Sequence, residues 1–222
     1  MSEIAPFAEV AGDSAATLDV VALALADEFR DVDAPGAMAS LDALGAELSR
    51  AAEQTSRAPE AEVIACRQVL GDAHGFLGDQ AQYDHPDNSM LDLVLARRRG
   101  LPILLSVVYV EVARRAGIEL AGVGLPGHFV VGHFGAVPPV LLDPFIGGAT
   151  VTTAAAGELI RPWNAREIAM RMLNNLIAAY QRRGDLTSAL HAATMRLALP
   201  VAEPEQHDVL KAELRAIQAR LN

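Results

Sequence analysis

The stretch RRRGLPILLSVVYVEVARRAGI, residues 97–118, decides how this chain folds. Pro102 follows Gly100-Leu101 and fits the first turn of a helix, where its missing N–H costs nothing. The helix it opens, roughly 103–116, is apolar on most sides, so it must be central and wrapped by other elements. Gly117 ends it in the position that favours a left-handed residue. Immediately afterwards the period changes. IELAGVGL, HFVVGHF and VLLDPF are short and β-rich, divided by Pro126-Gly127 and by GAVPP. They predict adjacent antiparallel strands packed on the central helix. The fold class that follows is α+β.

Upstream of this unit the pattern is helical. Residues 1–16 read as loose. Val20, Val21, Leu23, Leu25 and Phe29 give residues 18–29 a broad buried face, and DVDAPG breaks that helix. A second helix over 38–53 repeats Leu41, Leu44 and Leu48. The polar link EQTSRAPEAE leads to a third around 63–70. GDAHGFLGDQAQYDHPDNS is rich in Gly, Asp and Pro and reads as loop, anchored at Phe76 and Tyr83. Asn88 or Ser89 is placed to cap a helix over 90–99, with Gly100 as its stop. Downstream of GGATVTTAAAGE the chain turns helical again. NNLIAAYQRRGDLTSALHAATMRLALP predicts a helix, a Gly184-Asp185 turn and a second helix, and a last helix follows near Pro204–Leu221.

The totals exclude several classes of function. The 222 residues suffice for one domain with an appendage. A formal net charge of −10 argues against a nucleic-acid groove, because a phosphate backbone needs clustered cations. One cysteine, Cys66, excludes an internal disulfide and any cysteine-based zinc site. The start carries Glu3 and no basic leader, and the apolar run over 20–26 is too short for a bilayer. A soluble cytoplasmic protein without membrane partners is expected, and no cofactor.

The span 76–148 resembles the SirB-type family of transglutaminase-like proteins. The matching residues are Tyr83, NSMLDLVLARRRGLPILLS from Asn88, VYVEVARRAGIEL from Val108, GVGLPGHFVV from Gly122 and LLDPFIGG from Leu141. The tail resembles one tetratricopeptide-like helical hairpin, with Asn175, Leu176, Tyr180, Gly184, Asp185, Ala189, Leu190, Leu197 and Pro200 in the corresponding places. A single repeat cannot bury its own face, so the hairpin is expected to lie against the domain or a partner. The resemblance implies a helical N-terminal region over 1–75, a papain/transglutaminase-like core over 76–160 and a helical tail over 161–222. In active members a Cys begins the central helix, and a His and an Asp come from successive strands. The helix N-terminus lowers the thiol pKa, the imidazole takes the proton, and the carboxylate fixes the tautomer. By the resemblance, Pro102 holds the place of that Cys, while His128 and Asp143 match the other two. Proline has neither a thiol nor an N–H to offer an oxyanion.

Each candidate has a structural alternative. Ser106 lies one turn deeper on the same helical face as Pro102 and can serve as a substitute nucleophile, or it can simply bond back to the carbonyl of residue 102. His128 opens a strand after Pro126-Gly127 and can act as a base or ligand contact, or as half of an inherited His–Asp pair. His133 falls on the opposite sheet face and reads as surface. That separation argues against a shared metal centre, and His74, His85, His191 and His207 offer no ligand set. Cys66 beside Val63 and Ile64 reads as a small core hydrophobe. Arg97, Arg98 and Arg99 read as a solvated helix end or an anion contact.

The leading expectation is a transglutaminase-like protein without the nucleophile, binding a protein or peptide between the central helix and the His128–Asp143 strands. Tyr83, Asn88, Pro102, Phe129 and Phe145 are the candidate contacts. The rivals are a hydrolase or acyltransferase using Ser106, His128 and Asp143, and an adaptor acting through the tail.

Overall fold

The computed structural model of the chain describes residues 4–13, 15–151, 160–200 and 204–221. The acidic start at Glu3 and the predicted link over 152–159 lie outside the described residues.

The N-terminal part is more ordered than expected. A short helix, α1 (Phe7–Val10), sinks Phe7 and Val10 into the core, so residues 7–10 are not loose. α2 (Leu18–Asp27) buries Val21 to Ala26 almost continuously, as its broad apolar face predicts. α3 (Ala34–Glu53) starts earlier than the sequence suggested. Asp33 caps it by accepting from the Gly36 N–H at 3.0 Å, and a proline sits in its first turn, so DVDAPG contains the helix start as well as the break. α4 (Pro59–Cys66) likewise begins at a proline and then loosens into a π-helical stretch, Arg67–Ala73.

Two expectations around the central helix are corrected. A two-residue strand, β1 (Leu77–Gly78), precedes a 3-10 turn at Pro86–Ser89, so Asn88 and Ser89 belong to that turn. Neither caps α5 (Leu91–Arg97), whose first turn follows an extended Met90 with no side-chain cap. Gly100 does not stop α5. Arg98 takes the left-handed conformation at φ 56°, and Arg99–Gly100 continues as β2, paired in parallel with β1. Backbone pairing within the Leu77–Gly78 and Arg99–Gly100 segments outweighed the usual preference for glycine at that corner.

α6 (Pro102–Arg115) is the hub. From Pro102 to Tyr109, and again at Val112 and Ala113, its side chains are buried on every face. Burial of each large aliphatic side chain is worth about 1.5–3 kcal/mol, so this helix alone binds much of the fold together. β3 (Leu120–Leu125), β4 (His128–His133), β5 (Val140–Asp143) and β6 (Ala149–Val151) form one antiparallel sheet in chain order. Its first three strands are those read from the sequence; β6 is additional. One sheet face packs Phe129, Val131 and Leu142 into the main core, and the other gathers Val123, Val130 and Leu141 in a smaller cluster.

The C-terminal helices are α7 (Ala165–Arg183), α8 (Leu186–Ala198) and α9 (Pro204–Leu221). α7 opens with a reciprocal cap between Asn164 and Glu167 and ends at a left-handed Gly184, the predicted turn. Ile168, Met172, Leu173 and Leu176 join the same core as α6. The hairpin therefore lies against the rest of the chain. No helix among the described residues is long and apolar enough to cross a membrane.

α6 carries one buried acid, Glu111, and it is met by a dense polar cluster. Glu111 accepts from the Leu18 N–H at 3.0 Å and from Arg115 at 3.0 Å, while Arg115 also reaches the fully buried Asp19 at 2.6 Å. Burial raises the Asp19 pKa, but the Thr17 hydroxyl and the Arg115 guanidinium outweigh it and hold the carboxyl below its usual 3.8. A carboxylate depressed in this way stabilises the fold above its unfolded pKa and loses that contribution as pH falls through the folded one. Asp19→Asn should thus lose about 3 kcal/mol in urea unfolding at pH 7. The gap to the wild type should narrow as pH drops below 3.8. A gap that stays constant into strong acid contradicts the assignment.

Candidate functional site

The sheet register brings the two matched residues together. One step beyond the Val131–Leu142 pair, Val130 stands across from Asp143, which leaves His128 diagonal to Asp143 on the same face. His128 Nε2 lies 2.7 Å from Asp143 Oδ2. Because a carboxylate only accepts, Nε2 carries the proton, and in its neutral form the ring turns its Nδ1 lone pair away from Asp143. Asp143 is itself fixed, since its Oδ1 accepts from the Phe145 N–H at 2.9 Å as the chain enters the 3-10 turn Pro144–Ile146. The His128 side chain remains 34% exposed. The pair therefore offers an oriented acceptor at a partly open surface.

Aromatic side chains flank it. The Phe145 ring meets the His128 ring edge-on with centroids 6.3 Å apart, and Tyr83 meets Phe145 in the same manner at 5.8 Å. Gly78 of β1 makes room for Phe145. A Cβ at that position would lie 2.2 Å from the Phe145 ring. On the other side, Arg171 of α7 donates to the His128 carbonyl at 3.3 Å and lies over the Phe129 ring.

Other candidates take different places. Ser106 is buried and donates to the Pro102 carbonyl at 2.8 Å, the structural alternative drawn from its spacing. Pro102, Asn88 and Phe129, expected as contacts, are all buried. Asn88 works from beneath: its amide donates to the Gln82 carbonyl at 2.7 Å, its side-chain oxygen accepts from Arg97 at 3.2 Å, and its own carbonyl accepts from the Leu101 N–H at 3.1 Å. It thus ties the Tyr83 loop to the start of α6. Phe129 supports Trp163 edge-on behind the sheet.

His133 is corrected outright. It is 5% exposed rather than surface, with Nε2 2.9 Å from Glu62 of α4 and Nδ1 accepting from the Gly135 N–H at 3.1 Å. The odd spacing did put His128 and His133 on opposite faces, but α4 covers the second one and supplies a carboxylate. Among the described residues no group of three or more His, Cys, Asp or Glu side chains is placed to hold a metal ion. Arg171, Leu77 and Ile146 were not singled out from the sequence. They reach the site through helix–sheet and turn packing, which leaves no local pattern to read.

The sequence profile of the transglutaminase-like superfamily matches residues 36–181. The chain belongs to the transglutaminase-like superfamily. It is similar to the UPF0162 protein of Xylella fastidiosa strain 9a5c, 31% identical over 197 residues that cover 81% of this chain and 70% of that protein. A UPF0162 protein of Pseudomonas aeruginosa is 31% identical over 150 residues, 60% of this chain and 54% of its own length. F-box only protein 21 of Mus musculus is 31% identical over 137 residues, 54% of this chain but only 22% of that protein. No solved structure matches.

Within this transglutaminase-like chain the one thiol is remote in character from a nucleophile. Cys66 is fully buried on α4. Burial, with the nearby Glu62 carboxylate adding to it, pushes the thiol up to about 12. Iodoacetamide at pH 8 should leave Cys66 unmodified in the folded chain and alkylate it fully in urea. Alkylation of the native protein at the rate of a free thiol would show that the thiol is accessible.

Proposed function

We propose that this chain is a SirB-type transglutaminase-like module that holds a protein or peptide at the His128–Asp143 surface without performing cysteine chemistry. The observation that carries the reading is the start of α6: its first residue is Pro102, and the hydroxyl one turn on, Ser106, is buried and committed to the Pro102 carbonyl. A nucleophile must sit within hydrogen-bond reach of its base and open to substrate. Ser106 meets neither requirement, and Cys66 is buried with a raised pKa.

What remains is a recognition surface. His128 presents Nδ1 as an acceptor suited to a peptide N–H, its orientation set by Asp143. Tyr83 and Phe145 add an aromatic wall beside it, a residue type that anchors interfaces at low entropic cost. In this reading the three-part division at about residues 75 and 160 is one of role: a helical N-terminal wrap, the site-bearing core, and a tetratricopeptide-like hairpin that buttresses the site through Arg171.

The rival adaptor reading would test by removing the tail, but α7 shares the core with α6, so truncation would expose apolar surface. Point substitutions are the sounder instrument. A pooled 12-residue display library panned on the full chain should yield binders whose retention falls at least about tenfold with Tyr83→Ala and Phe145→Ala. A fluorophosphonate probe should label wild type and Ser106→Ala equally weakly. Labelling of the wild type that vanishes in Ser106→Ala would replace this reading with the hydrolase.

A further inference from the structure

We infer that a second, smaller cavity on this chain binds a free α-amino acid with an apolar side chain. It lies between α3, α5 and the corner that leads into β1, encloses about 230 Å³ and shares no residue with the His128 site. Leu44, Phe76 and Leu95, all members of the main core, form its apolar wall. Glu47, His74 and Arg98 face the same space. A few convergent polar groups over an apolar wall are the ordinary make-up of a small-molecule site. The volume falls below the roughly 300–1,000 Å³ of pockets for drug-sized ligands, which selects a molecule the size of one amino acid over a peptide.

The polar groups are locked to one another. His74 Nε2 lies 2.8 Å from Glu47 Oε2, and Arg98 Nη1 donates to the His74 carbonyl at 3.0 Å. One histidine thus holds a carboxylate at its ring and a guanidinium at its backbone, which sets two opposite charges a single residue apart. Among the described residues Glu47 and Arg98 form no ion pair with each other, so Glu47 Oε1 and the remaining Arg98 N–H groups are open to a ligand. Arg98 also has the one positive φ outside glycine among the described residues, 56°. Glycine would turn that corner without strain, whereas arginine accepts the strain and places a guanidinium in the cavity.

The charge facing the cavity is balanced. On the three elements around it, Asp42 is matched by Arg115, Asp92 by Arg30 and Asp72 by Arg67. Arg50 and Arg99 lie outside the lining, held by the Ala46 carbonyl and by the Gly75 and Arg98 carbonyls. One carboxylate and one guanidinium remain, with His74 adding a charge only when protonated. A ligand must therefore answer both signs. A simple carboxylate suits Arg98 and is repelled by Glu47; a simple amine does the reverse. An α-amino acid carries an ammonium and a carboxylate on one carbon. Its ammonium reaches Glu47, its carboxylate takes Arg98, and its side chain lies on Leu44, Phe76 and Leu95. Ser40, whose hydroxyl donates to the Gly36 carbonyl at 2.9 Å, offers its oxygen as a second acceptor for the ammonium.

Isothermal titration on the full chain tests this with L-leucine, L-phenylalanine, L-leucinamide, which lacks the carboxylate, and N-acetyl-L-leucine, which lacks the ammonium. Leucine and phenylalanine should bind with a Kd at or below about 1 mM, and both derivatives at least about tenfold more weakly. Arg98→Gly keeps the left-handed corner, so its Tm should match or exceed that of the wild type while leucine binding falls at least about tenfold. Glu47→Gln should weaken leucine by a similar factor and leave N-acetyl-leucine unweakened. The Glu47 side chain is 41% exposed, so this variant carries the test even if Arg98→Gly melts early. Equal binding of leucine and either derivative overturns the amino-acid assignment. Leucine binding unchanged in both variants overturns the site. No binding of leucine or phenylalanine at about 10 mM overturns the inference as a whole.

Discussion

Helix α6 imposes the constraint that the rest of the molecule answers. A helix apolar on nearly every face has no solvent side, so α2, α3 and α5, the sheet and α7 must all pack around it. Its only deeply buried acid, Glu111, is reached by Leu18 N–H and by Arg114 and Arg115, and through them by Asp19. The polar cluster ties the entry of α2 to the far end of α6. An ion pair lost from such a place leaves the remaining charges stranded in low dielectric. The core is thereby continuous across the sequence boundaries that a reading by segments would draw.

That wrapping also builds the candidate site. The surface at His128 is assembled from the start of β4, the end of β5, the turn after it, the Tyr83 loop and α7. Each element is fixed by the core rather than by the site. Asn88 is the clearest instance, since one buried side chain joins the Tyr83 loop, the end of α5 and the start of α6. The result is an imidazole whose tautomer is imposed and whose neighbours are aromatic and cationic. Two histidines five positions apart on one strand illustrate how far environment separates identical chemistry. His128 is partly open beside aromatic rings; His133 is sealed against Glu62 as a brace between α4 and the sheet.

Membership in the transglutaminase-like superfamily explains the architecture without assigning a reaction. UPF0162 relatives in Xylella and Pseudomonas cover much of the chain, whereas F-box only protein 21 shares the similarity over a small part of a longer protein. The matched stretch thus makes up 70% of the Xylella protein, 54% of the Pseudomonas protein and 22% of the F-box protein.

The family resemblance implied the pairing of His128 with Asp143; the sequence by itself determined the central helix, the three antiparallel strands after it and the Gly184 turn. Those depend on hydrophobic periodicity, on Pro and Gly placement, and on an ordered set of short-range motifs, all of which are local. It also anticipated Ser106 bonding back to residue 102, because that geometry is set within one helical turn. Tertiary structure alone decided the burial of His133, the use of Asn88 as a tie, the parallel pairing of Leu77–Gly78 with Arg99–Gly100, and the arrival of Arg171 at the site. His133–Glu62 and Arg171–His128 join residues far apart in the chain, and even the shorter-range ties need separate elements brought together, which happens only once α6 has drawn them around itself.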